Sequence, residues 1–114
     1  MSNEKKIIRT NKRDKPESLS TYLAILSSHR DELRERYNVK GIGIFGSVAR
    51  GESKRRSDVD VLVEYKKLPD LLEFINLERY LESIFQQKVD LVERGGIRKE
   101  LRDRILREVQ TIQI

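Results

Sequence analysis

Residues 42–65 read IGIFGSVARGESKRRSDVDVLVEY. Two apolar runs, each suited to a buried strand, flank a Gly-Ser turn and a cluster of cations. Asp58 and Asp60 sit one residue apart at the mouth of the second run. Strand side chains alternate, so these two aspartates share one face while Val59, Val61 and Val63 point to the other. A third apolar run, KVDLVE at 88–93, turns Asp90 away from Val89 and Leu91. If the valines of both strands face a helical layer, the three carboxylates meet on the opposite face. Such like charges raise one another's pKa values and resist joint ionisation unless a cation joins them. Hard divalent metals, magnesium in particular, take carboxylate oxygens together with substrate phosphates.

Around this centre the pattern is helical. Upstream, PESLSTYLAILSSHRDELRERYN offers Ser18 or Ser20 as a cap and predicts a helix over 18–37. SVARGES suits one or two helical turns between the first two strands. Downstream, Pro69 suits the first turn of a long helix with an apolar stripe of Leu71, Leu72, Phe74, Ile75, Leu77, Leu81, Ile84 and Phe85. IRKELRDRILREVQ predicts a last amphipathic helix with Ile97, Leu101, Ile105 and Leu106 inward. The order helix, strand, turn, strand, helix, strand, helix predicts an α/β (α+β) fold, a small sheet with helices on one face and the carboxylates on the other.

The chain's 114 residues suit one domain with a single modest core. The absence of cysteine excludes disulfides, thiolate metal sites and cysteine nucleophiles. No apolar run approaches the roughly 18 residues of a membrane span, and the polar start lacks the apolar core of a secretory signal. A cytoplasmic protein without membrane contact is expected. The net charge of +5 is concentrated: residues 1–16 carry six lysines and arginines against two acids, a net +4. This segment reads as a flexible basic tail, either solubilising or able to dock nucleic acid or an acidic partner, ahead of a domain over 17–114.

Gly46 and Ser47 follow a buried strand and precede a helical turn, where backbone N–H groups and the Ser47 hydroxyl can face an anion. No Walker A loop and no G-x-G-x-x-G is present. Arg50 suits either a phosphate ligand or a structural ion pair. Lys54, Arg55 and Arg56 read as a solvated loop, and His29 as a packing residue of the first helix.

Taken together, Gly46-Ser47, ten residues, then Asp58-x-Asp60, with Asp90 on a later strand, resembles the nucleotidyltransferases of the DNA polymerase β superfamily. The likeness is to the minimal type that acts as antitoxin to HEPN-family ribonuclease toxins. The resemblance implies a nucleotidyltransferase fold with a small mixed sheet. It also implies two magnesium ions on Asp58, Asp60 and Asp90, with Asp90 aiding deprotonation of the acceptor hydroxyl, and the β and γ phosphates of ATP at Gly46 and Ser47. The implied reaction transfers AMP to a hydroxyl, that of a tyrosine, on a HEPN toxin. Stoichiometric masking of the toxin, nucleotidyl transfer to a small molecule, and a nucleic-acid module built on the tail are the alternatives.

Overall fold

The computed structural model describes residues 17–54 and 57–114, so the basic tail and Arg55 and Arg56 lie outside the described residues. The chain runs α1 (Leu19–Ser28), α2 (Arg30–Glu35), β1 (Val39–Phe45), α3 (Gly46–Ala49) and β2 (Val59–Tyr65). It continues through α4 (Leu71–Phe85), β3 (Val89–Glu93), a 3-10 turn (Arg94–Gly96), α5 (Lys99–Glu108) and β4 (Gln110–Ile112). The four strands form one mixed sheet in the order β3-β2-β1-β4. β1 is antiparallel to both β2 and β4, whereas β2 and β3 are parallel and joined through α4.

The expected class holds, and so does the layering for α1, α2 and α4. Val39, Ile42 and Ile44 of β1, Val59, Val61 and Val63 of β2, and Val89 and Leu91 of β3 are buried in one cluster with residues of α1, α2 and α4, including Leu26, Leu33, Leu77 and Leu81. The other face carries Asp60 and Asp90, with one addition. Phe45 and Leu62 on that face are covered by Ile97 and by Ile105 of α5, which form a second, smaller apolar cluster. The last helix therefore walls the carboxylate face.

Four local expectations are corrected. The helix expected over 18–37 breaks at His29, because Ser28 Oγ and His29 Nδ1 both engage the Ile25 carbonyl at 2.8 Å and compete with the helical ladder. Ser18 is the cap of α1. Pro69 lies outside α4: Asp70 is the N-cap and forms a reciprocal capping box with Glu73. Leu71 and Leu72 are 74% and 66% exposed and do not join the buried stripe, which runs through Leu77, Leu81 and Phe85. β4 was not anticipated, and Gly43 permits it: a Cβ there would lie 2.7 Å from the Gln110 carbonyl oxygen.

Candidate active site

The first three strands bring their functional ends to one edge of the sheet. Phe45, the last residue of β1, pairs with Asp60, and Asp60 stands beside Asp90 in the parallel register of β2 and β3. Immediately after Phe45 the chain turns at Gly46 with φ of 74°. A Cβ at Gly46 would collide with the Asp60 carboxylate, whose Cγ would be 2.8 Å away. Glycine is needed there both for the left-handed backbone and for the close approach of that carboxylate.

Asp60 and Asp90 share a cleft of about 420 Å³ with Gly46, Ser47 and Arg50. Asp60 is half-buried and Asp90 exposed. Burial first, then the charges of Asp90 and Asp58 and a hydrogen bond with Asp90, push the Asp60 carboxyl up to about 6, while Arg50 pulls it down. Asp58 precedes β2, is exposed, and bears on Asp60 through its charge. Among the described residues no three acidic or imidazole side chains converge as a ready-made metal cage. The donor set is two adjacent hard oxygen ligands with a third carboxylate nearby. It fits a divalent ion whose coordination is completed by substrate phosphates.

Arg50 follows α3, and two carboxylates hold it: its Nε donates to Glu52 Oε1 at 3.1 Å, and its Nη1 donates to Glu108 Oε1 and Oε2 at 3.1 and 3.2 Å. These hydrogen bonds, led by that to Glu52, raise its pKa above the ordinary guanidinium value. Both readings of Arg50 thus have a counterpart, since it is ion-paired and still lines the cleft.

Three residues of the last helical segment escaped the sequence reading. Arg98 and Arg104 line the same cleft as Asp60 and Asp90, and Glu108 accepts from the Gly46 N–H at 2.8 Å. A signal was present: 98, 101, 104–105 and 108 recur at helical spacing, so these charged residues share the face of Leu101 and Ile105. His29 is remote from the cleft, set edge-on to Tyr80 at 6.0 Å between ring centroids.

The nucleotidyltransferase domain family matches residues 26–112, which spans all the elements around the cleft. The chain belongs to the nucleotidyltransferase family. Protein adenylyltransferase MntA of Thermococcus cleftensis is 49% identical over 86 residues, covering 75% of this nucleotidyltransferase and 87% of the relative. A solved structure assigned as a minimal nucleotidyltransferase is 34% identical, with a TM-score of 0.67 over 84% of this chain and 97% of the other. A crystal structure of a toxin-antitoxin with AMP-PNP is 25% identical, with a TM-score of 0.62 over 76% of this nucleotidyltransferase and 68% of that chain. The fold and the enzyme class expected from Gly46-Ser47 and Asp58-x-Asp60 are borne out. Among the described residues no helix is long and apolar enough to cross a membrane.

Proposed function

We propose that this nucleotidyltransferase is an antitoxin that transfers AMP from ATP to a hydroxyl, of the tyrosine class, on a HEPN-family ribonuclease toxin. The observation that carries this reading is the in-register Asp60–Asp90 pair, set in one cleft with the Gly46-Ser47 turn. The names of the relatives support it, one a protein adenylyltransferase and another a toxin-antitoxin with AMP-PNP.

Asp60 and Asp90, with Asp58, would hold magnesium, which when bound neutralises the phosphates and stabilises the entering and leaving oxygens of an in-line displacement. Ser47, through its hydroxyl and backbone N–H, faces the terminal phosphates of ATP. The acceptor oxygen attacks the α-phosphorus, its proton passes to Asp90, and the bond to the β-phosphate oxygen breaks. Pyrophosphate leaves with that electron pair. Arg98 and Arg104, which line the same cleft, contribute positive charge toward the departing anion. On the toxin, the added phosphate places a negative charge where an RNA phosphate must bind.

Intact-mass spectrometry of the HEPN toxin tests this after incubation with the protein, ATP and magnesium, beside an Asp58→Ala, Asp60→Ala variant. Mass steps of one AMP residue, present only with the intact aspartates and persisting after the toxin is separated, are expected. A toxin of unchanged mass that is silenced only while bound would replace this reading with stoichiometric masking.

A further inference from the structure

α3 has an unusual start. Its N-cap, Phe45, has no side chain able to accept from the first N–H groups of the helix, which a helix start normally requires. The acceptor comes from 62 residues away, where Glu108 Oε1 takes the Gly46 N–H at 2.8 Å. The same carboxylate accepts from Arg50, the C-cap of α3, at 3.1 and 3.2 Å. Its side chain is only 16% exposed, whereas Glu52, the other partner of Arg50, is 64% exposed. One shielded carboxylate at the end of α5 therefore grips both ends of the four-residue α3.

We propose that Glu108 is the positioning residue of the nucleotide-facing turn, fixing Gly46 and Arg50 together so that Ser47 alone presents the donors of the turn to the triphosphate. By occupying the Gly46 N–H, it leaves Ser47, which lines the cleft, to offer its hydroxyl and N–H to the ligand. By holding Arg50, it keeps that cation on the cleft wall near Asp60 and stops the long side chain from swinging into the space of the phosphates. Charge-assisted hydrogen bonds of this kind are stronger than neutral ones and set geometry as well as energy. The inference rests on the nucleotidyl-transfer reading, since it specifies how that site receives its nucleotide.

Glu108→Gln keeps an oxygen for Gly46 but turns an amide donor toward the Arg50 guanidinium. Its binding of magnesium and a non-hydrolysable ATP analogue, measured by calorimetry, is expected to be about tenfold weaker than wild type, the scale of one charge-assisted hydrogen bond. In the transfer assay KM for ATP rises by a similar factor while KM for the protein acceptor stays put, a split that general loosening of the fold would not produce. Glu52→Gln, which alters only the exposed partner of Arg50 and leaves the Gly46 N–H bond to Glu108 in place, is expected to weaken analogue binding less than Glu108→Gln does. Where Glu108→Gln proves too unstable to assay, Glu108→Asp keeps the charge but withdraws it by one methylene, and the same selective loss is expected. Analogue affinity equal to wild type in the folded Glu108 variant overturns this inference and leaves the function standing. A wild-type protein that binds no nucleotide removes both.

Discussion

Asp60 and Asp90 are register partners on adjacent parallel strands, and the Asp60 carboxylate lies against the α-carbon of Gly46. The metal-ligand candidates and the Gly46-Ser47 turn are thus one unit, whose spacing is set by sheet register and by the missing side chain at Gly46.

Gly46→Ala tests that closeness. The new methyl must displace the Asp60 carboxylate and adopt a positive φ, so a loss of about 1–3 kcal/mol is expected in urea unfolding, with transfer activity lost alongside. Gly51 also has positive φ but open space around it, so Gly51→Ala is expected to cost less and to retain activity.

Asp60 supplies a pH signature in the metal-free protein. Its folded pKa of about 6 stands above the ordinary aspartate value of 3.8, so the folded state holds the proton more tightly than the unfolded chain. The stabilisation from this group is fully present below about pH 4 and is lost as pH rises to 6. Asp60→Asn lacks this loss. Its melting temperature relative to wild type is expected to climb between pH 4 and 6 and then level off, while adenylyl transfer disappears. Magnesium, competing with protons for the same oxygens, is expected to raise the wild-type melting temperature more at pH 7 than at pH 5.

Leu71 and Leu72 distinguish the buried stripe of α4 from its exposed start. Leu71→Ser and Leu72→Ser are expected to change stability by no more than about 0.5 kcal/mol, whereas Leu77→Ala, at a fully buried site, is expected to cost about 2–5 kcal/mol. Denaturant unfolding of the three variants gives the comparison.

Much of this was legible in sequence because it depends on local period. The alternation in DVDVLVEY fixed which side chains face the core, and the matching phase of KVDLVE put Asp90 on the same face as Asp60. Leu71 and Leu72 were misread because periodicity does not say where the layer beneath a helix ends. The break at His29 turns on side chains competing for one carbonyl, a signal that Ser28 and His29 carried and the apolar spacing masked. The Glu108 contact to Gly46 spans 62 residues, and no local pattern encodes it. β4, three residues long, gave too short a run to read as a strand.

Arg98 and Arg104 line the cleft of the aspartates from a different part of the chain and are both exposed. Arg98→Ala with Arg104→Ala is expected to leave the melting temperature near wild type. The same double variant is expected to lower kcat/KM for adenylyl transfer by about tenfold or more, the scale of lost charge stabilisation at a leaving phosphate. Steady-state assays with pyrophosphate as a product inhibitor check this, since weaker inhibition should accompany the loss.

Isotope label in ATP distinguishes adenylyl transfer from every other outcome at the Asp60–Asp90 cleft. With the HEPN toxin, magnesium and this nucleotidyltransferase, label at the α-phosphate is expected to appear on the toxin, with one pyrophosphate released per group transferred and none with the Asp60→Asn variant. Transfer of label from the γ-phosphate, or no labelling of a toxin shown to be bound, would contradict adenylyl transfer by the Asp60–Asp90 cleft.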